Sequence, residues 1–287
     1  MPEKVLVTGA SGGTGRRVVK ALAARGADVR AFIRRDEARQ QLAALGVSDF
    51  AMGTLEDAGS LEQAMQGADQ VFHICPPMHP QEDEIARTLT DLCGKIGTAR
   101  FLLWSVLHPV IDVPHHRRKL LAEQYLIESG QCYTILQPSR YMQHLLPIWQ
   151  NVTGKGDHAL PFSVTSKFSL TDLDDLAEAG AIVATQQGHE YATYQLAAPE
   201  ALSQEDCAAI LSDLLGKPVA ARQRDLGAFL EAAKSNGMPQ HRLDNMRIMN
   251  EHYTAHGLVG NGQVLQFLLG RIPNTFAQFV QRELLNT

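Results

Sequence analysis

Short apolar runs recur through the first half of the chain, separated by stretches whose apolar residues fall three and four apart. The runs are Val5-Leu6-Val7, Val29-Arg30-Ala31-Phe32-Ile33, Phe50-Ala51-Met52, Val71-Phe72-His73-Ile74, Phe101-Leu102-Leu103-Trp104 and Tyr133-Thr134-Ile135-Leu136. Near-continuous apolar character over so few residues predicts strands covered on both faces. Between the first two runs, Val18, Val19, Leu22 and Ala23 give a helical stripe from Arg16 to Arg25, and Gly26 predicts its end. Ser60-Leu61-Glu62-Gln63 reads as a capping box. Strand and helix in alternation predict βαβ units, whose right-handed crossovers build a doubly wound parallel sheet.

After Pro138 the alternation loosens. Residues 151–166 are rich in Gly, Pro and polar side chains, and most of the remaining chain is helical, with isolated strands near Phe168 and Tyr191-Gln195. Thr171-Asp172-Leu173-Asp174-Asp175 predicts a helix start, since hydroxyl and acidic residues favour that end.

The first strand leads directly into Thr8-Gly9-Ala10-Ser11-Gly12-Gly13-Thr14-Gly15 and then the first helix. Strand, glycine turn and helix in that order are the context of a dinucleotide-binding turn. Gly9 permits the reversal, Gly12 a close backbone approach to a pyrophosphate, and Gly15 tight helix-strand packing. Ser11, Gly13 and Thr14 complete the cradle, and the helix amides receive the anion. The fold class is therefore α/β, a doubly wound parallel sheet (Rossmann) with a smaller, mostly helical C-terminal substrate lobe. Residues 1–150 form the nucleotide-binding domain and 151–287 mainly the substrate lobe, with about 165–200 returning to the main sheet.

Selectivity for the adenosine half should lie at the end of the second strand, where an acid would bond the ribose hydroxyls of NAD. The chain instead reads Ile33-Arg34-Arg35. A guanidinium fork suits a 2′-phosphate, so Arg34, or Arg35 as its alternative, points to NADP(H). Asp36 is read as the cap of the next helix rather than as a ribose ligand.

Composition narrows the remaining choices. Over 287 residues, 45% are hydrophobic and 20% charged, which is ordinary for a globular chain and leaves ample material for a core. A formal net charge of -5 opposes general nucleic-acid binding, which needs a concentrated positive field. No apolar run reaches membrane-spanning length, and Met1-Pro2-Glu3-Lys4 runs into the first strand without a signal-peptide pattern. Cys75, Cys93, Cys132 and Cys207 have no paired spacing, so a reduced, cytoplasmic setting is expected. A small-molecule substrate is the expected partner, with no nucleic acid and no membrane; a homo-oligomer or a regulatory protein partner stays open.

With these motifs in place the chain resembles the NmrA-like group of atypical short-chain dehydrogenases/reductases, which includes NADPH-dependent reductases and redox-sensing regulators. The resemblance covers nearly the whole chain. Besides Thr8 to Gly15 it rests on Gly53-Thr54-Leu55-Glu56-Asp57, Ile74-Cys75-Pro76-Pro77, Tyr133-Thr134-Ile135-Leu136-Gln137-Pro138 and Leu269-Gly270-Arg271-Ile272-Pro273. It implies that Cys75, Pro76, Gln137 and Pro138 line the cofactor. Thr54 stands where the family often has an acid beside the adenine.

The larger short-chain family uses a Tyr and a Lys four residues apart, and no Tyr-x-x-x-Lys occurs in the expected region. His115-His116-Arg117-Arg118-Lys119 comes after the fifth strand instead, and the resemblance puts Lys119 in place of the retained Lys. His115, one turn earlier, shares its face, giving a His/Lys pair as candidate catalytic residues, with imidazole as proton donor and Lys119 also gripping the cofactor. Ser105, at the end of the fifth strand, is a further cofactor candidate. His252 and His256 share a helix face, but no third ligand or acid stands in register, so no metal site is assigned. Tyr141, Met142, Trp149 and Phe162 are read as core, with a substrate-pocket lining as the alternative. The leading expectation is a reductase passing hydride from NADPH to a small conjugated or aromatic acceptor: a quinone, an azo or triphenylmethane dye, an enone or an imine. The alternative is an NADP(H) redox sensor that acts through protein partners without turnover.

Overall fold

The computed structural model describes residues 3–286. In chain order the elements are β1 (Lys4–Val7), α1 (Gly13–Ala24), β2 (Asp28–Ile33), α2 (Ala38–Ala43), β3 (Asp49–Met52), α3 (Ala58–Met65), β4 (Gln70–His73), α4 (Glu82–Ile96), β5 (Arg100–Trp104), α5 (Pro114–Glu128) and β6 (Tyr133–Pro138). Next come α6 (Trp149–Lys155), β7 (Asp157–Leu160), α7 (Leu173–Thr185), β8 (Ala192–Leu196), α8 (Gln204–Leu215), β9 (Ala220–Gln223), α9 (Leu226–Ser235), α10 (Gln240–His256), α11 (Gln263–Leu269) and α12 (Phe276–Val280).

The chain forms two compact units, and it passes between them more than once. The first comprises residues 1–111, 115–138 and 176–194; the second comprises 112–114, 139–175 and 195–287. A seven-stranded sheet runs in the order β3-β2-β1-β4-β5-β6-β8, with parallel pairing from β3 through β6. All six predicted strands are present. Each strand except the last begins one residue earlier than its apolar run, because the polar residue before the run (Lys4, Asp28, Asp49, Gln70, Arg100) still joins the ladder.

Within the first unit one sheet face packs Leu6, Val71, Phe101, Leu103 and Ile135 against Leu61 and Met65 of α3, Leu89 of α4 and Leu126 of α5. Phe72 and Trp104 point to the other face, where their rings lie 6.0 Å apart. Gly180 of α7 meets them there: a Cβ would stand 3.1 Å from Phe72 and 3.3 Å from Trp104. The end of α7 is held from the sheet, where buried Gln70 and Arg100 both donate to the Ala184 carbonyl.

Helix α1 starts at Gly13, three residues before its apolar stripe, so the last glycines of the turn lie inside the first helical turn. Two predicted caps are corrected. Asp57, not Ser60, caps α3, its carboxylate accepting from the Gly59 and Ser60 amides, while the Ser60 hydroxyl donates to the Thr54 and Asp57 carbonyls. Glu37, not Asp36, occupies the cap position of α2, and Asp36 pairs with Arg39 one turn on.

The second unit is built around Met142, Leu145, Val152, Leu211, Phe276 and Phe279, beside a parallel pair of strands, β7 and β9. Residues 151–166 contain the end of α6 and all of β7, an order that their turn-forming composition hid. Phe168 makes only isolated bridges, to Leu202 and Leu258. The acids at the start of α7 act at long range as well as at the helix end. Fully buried Asp172 accepts from Gln143, Asn274 and Arg282, and fully buried Asp175 from Arg271 and from the backbone and side-chain amides of Asn274. The terminal Leu269-Gly270-Arg271-Ile272-Pro273 motif thereby contributes one arginine of this anchor.

Candidate functional site

The strand order reverses between β1 and β4, and loops leaving the carboxyl ends there must diverge, opening a crevice. A cleft of about 420 Å3 occupies this position. It is lined by the β1 loop (Gly9, Ser11, Gly12, Gly13, Thr14, Gly15), by Phe32 and Arg34 of β2 and its loop, by Gly53 to Glu56 after β3, and by Ile74 to Pro77 and His79 after β4.

Two glycines are sterically required. Gly9 has φ +65°, and a Cβ on it would lie 2.4 Å from the Ile74 carbonyl oxygen. A Cβ on Gly15 would lie 2.1 Å from the Gly9 carbonyl oxygen, so the helix could not sit so close to the turn. Around Gly13, by contrast, a Cβ meets nothing within 4 Å. Gly12 takes the helix cap position without a side-chain cap, which leaves first-turn amides for an anion.

Thr8 fixes the turn to its neighbour strand. Its amide donates to the Phe72 carbonyl at 3.0 Å, and its hydroxyl accepts from the Ile74 amide at 3.1 Å. The same hydroxyl shares a hydrogen bond with Nδ1 of buried His73, 2.8 Å away. Burial pushes the His73 pKa down to about 3, so the ring is neutral.

Arg34 lines the cleft and Arg35 does not. Asp36 is turned to Arg39 and is likewise absent from the lining. Glu56 and His79 pair across the β3 and β4 loops, Nε2 to Oε1, at 2.9 Å. Phe32, Glu56 and His79 were not anticipated as lining residues. His79 comes after a helix-less stretch with no pattern to mark it, and Met78 beside it has φ +58°, a left-handed conformation uncommon outside glycine.

The remaining candidates form a second, buried cluster at the ends of β5 and β6. Lys119 of α5 donates to the Trp104 carbonyl at 2.9 Å and pairs with the Glu82 carboxylate at 2.5 Å. Four residues further along the same face, Glu123 accepts from the Ser105 hydroxyl, and its two oxygens accept from the Gln137 amide at 2.9 and 3.1 Å. Ser105 and Gln137 are thus oriented by one carboxylate. Burial raises the Glu123 pKa, an effect its bonds to Ser105 and Gln137 oppose. Neither Glu123 nor Glu82 was anticipated: Glu123 stands one turn after Lys119, a spacing that could have marked it, whereas only the packing of α4 beside β5 brings Glu82 near. Pro138 closes β6 and its carbonyl accepts from Leu107 at 2.9 Å.

His115 lies on the same face as Lys119, next to His116, whose ring is 4.5 Å away. Burial, His116 and Lys119 together push the His115 pKa down to about 3. Its imidazole is neutral near pH 7. His252 and His256 lie 4.7 Å apart, centroid to centroid, and among the described residues no group of three or more His, Cys, Asp and Glu side chains is placed to hold a metal. Also among the described residues, no helix is long and apolar enough to cross a membrane.

The model of the NmrA-like family matches residues 1–278. The chain belongs to the NmrA-like family. Among its relatives, NAD(P)H azoreductase of Xenophilus azovorans is 30% identical over 279 residues, covering 96% of each chain. The structure of an NADPH-dependent quinone oxidoreductase from Escherichia coli, complexed with NADPH, is 25% identical with a TM-score of 0.85, covering 97% of this chain and 99% of that one. Triphenylmethane reductase of Citrobacter sp. complexed with NADP(H) superposes with a TM-score of 0.84 over 97% of this chain and 99% of its own, at 21% identity, a likeness of fold. As an NmrA-like protein the chain has the Rossmann-type parallel sheet expected of it, with the glycine-turn cleft at the sheet's switch point.

Proposed function

We propose that this NmrA-like protein passes hydride from NADPH to a small conjugated acceptor of the quinone, azo or triphenylmethane type. The chain is an oxidoreductase of the NADP(H)-binding kind, and the acceptor is the part proposed. The observation that carries the reading is likeness along the whole chain to an NAD(P)H azoreductase. The cleft residues Gly9 to Gly15 would hold the pyrophosphate and Arg34 the 2′-phosphate, while Cys75 and Pro76 would flank the cofactor. When bound, NADPH supplies the hydride.

The protein's own contribution is orientation. Glu123 holds the Ser105 hydroxyl and Gln137 amide at the ends of adjacent strands, and Lys119 holds the end of β5 through Trp104. In this reading Lys119 is a positioning residue. His115, neutral near pH 7, gives no proton, and an electron-poor acceptor takes hydride with protonation from solvent.

Calorimetric titration with NADPH and NADH, on the wild type and on Arg34→Ala, tests the cofactor half. Arg34→Ala should weaken NADPH binding about 10- to 100-fold and leave NADH unchanged; equal losses, or NADH binding as tight as NADPH in the wild type, overturn the role of Arg34. NADPH oxidation across quinones, azo dyes and triphenylmethane dyes tests the acceptor half. A second reading, a non-catalytic NADP(H) sensor, is favoured by the engagement of Lys119 with Glu82 and by the missing Tyr. Tight NADPH binding with no oxidation by any acceptor would select it.

A further inference from the structure

The second unit carries a groove of about 540 Å3 that lies wholly within residues 224–242. Helix α9 presents Phe229, Ala232 and Ala233 to it, three and four residues apart and so on one face, and Met238 of the turn into α10 completes the apolar wall. The two alanines leave open the space that longer side chains would fill. A volume of this size takes a ligand of one or two rings.

Two arginines line the same groove. Arg224 follows β9 directly, and its amide donates to the Leu160 carbonyl at 2.9 Å, which ties it to the end of β7. Its guanidinium stacks on the Phe229 ring at 5.1 Å, an arrangement that satisfies the face and leaves the edge donors available. Arg242 stands in the first turn of α10, and its Nε is shielded from water with no acceptor. Among the described residues no carboxylate pairs with either guanidinium. The neighbouring acids are engaged elsewhere: Asp225 caps α9 by accepting from the Ala228 amide at 2.7 Å, and Asp244 accepts from the Gln240 side chain at 2.8 Å. Both arginines stay charged at any working pH, so they repel one another across the groove, and a bound anion relieves that repulsion while giving their donors an acceptor.

We propose that this groove binds a small organic acid, its carboxylate held by Arg224 and Arg242 and its apolar body laid against Phe229 and Met238. The site belongs to the second unit alone and stands apart from the hydride-transfer reading. Inorganic phosphate would meet the charges and leave the apolar wall bare, and a neutral aromatic would do the reverse; an acid with an apolar body matches both halves of the lining.

Calorimetric titration of the NADPH-saturated protein with sodium cinnamate tests this, with cinnamyl alcohol as the uncharged match. NADPH fills the glycine-turn cleft, so the acid is not read there. Cinnamate should bind with a Kd on the order of 1 mM or below, and the alcohol about 10-fold more weakly or not at all. Arg224→Met and Arg242→Met, each verified by thermal unfolding, keep apolar bulk and remove one charge. Either should raise the cinnamate Kd about 10-fold, with Arg242→Lys in between. Arg224 is exposed, so its variant carries the test should Arg242→Met fail to fold. No cinnamate binding at about 10 mM, equal affinity for the alcohol, or a Kd unchanged in a folded Met variant overturns the site.

Discussion

Replacing Lys119 by Met isolates the energetics of the buried cluster. The pair it breaks is short, 2.5 Å, and lies deep, with side chains 12% and 3% exposed for Lys119 and Glu82. Removing one partner of such a pair strands the other charge. A carboxylate left buried without its partner costs about 3 to 5 kcal/mol. Loss of the bond to the Trp104 carbonyl adds about 1 kcal/mol. Lys119→Met should therefore destabilise the cofactor-free protein by about 4 to 6 kcal/mol at pH 7. Urea denaturation of wild type and variant measures this. The double variant Lys119→Met, Glu82→Gln removes the charge to be stranded and should lie within about 1 to 2 kcal/mol of wild type at pH 7. A double variant no more stable than Lys119→Met refutes the stranded-charge argument. NADPH affinity of the double variant decides whether Lys119 is a positioning group: a change under about threefold agrees, while a rise in Kd beyond tenfold means that Lys119 contacts the cofactor.

Two other outcomes concern the cleft and its surroundings. Native His73 stays neutral down to about 3, whereas its ordinary value is 6.5, so between these pH values the unfolded chain binds more protons and stability falls as pH falls. His73 alone should account for a loss of about 2 kcal/mol between pH 7 and pH 5; His73→Asn should shrink the measured urea-unfolding loss by that amount, and an unchanged pH dependence would contradict neutral burial. In the glycine turn, Gly15→Ala should abolish NADPH binding and lower Tm, because its Cβ meets backbone, while Gly13→Ala, with open space around it, should leave Tm unchanged. Equal Tm losses for the two would show that the turn is held otherwise.

The local pattern alone determined the parallel sheet, the position of the glycine turn and the residues that form it. Six apolar runs too short for helices, with helical patterns filling the gaps between them, admit few arrangements, and Gly9 and Gly15 carry their reason in their own missing Cβ. The Arg34-Arg35 pair was legible as the residues just past the second strand, and only the structure chose Arg34 as the one that lines the cleft. Helix caps were misjudged at Ser60 and Asp36 because a cap depends on where the backbone turns, a matter of one or two residues that spacing does not resolve. The strand β7 was hidden because its pairing with β9, 63 residues away by register, supplies what its own composition lacks.

Only the tertiary structure decided what the charged residues do. Lys119 could be named from the sequence, yet its partner Glu82 comes from another helix, and Asp172 and Asp175 look like helix-start acids until Arg271, Asn274 and Arg282 close on them. Hydrophobic burial obeys a short-range periodicity that one strand or helix can display, whereas the state of a charge is set by groups distant in sequence and by the water that folding removes.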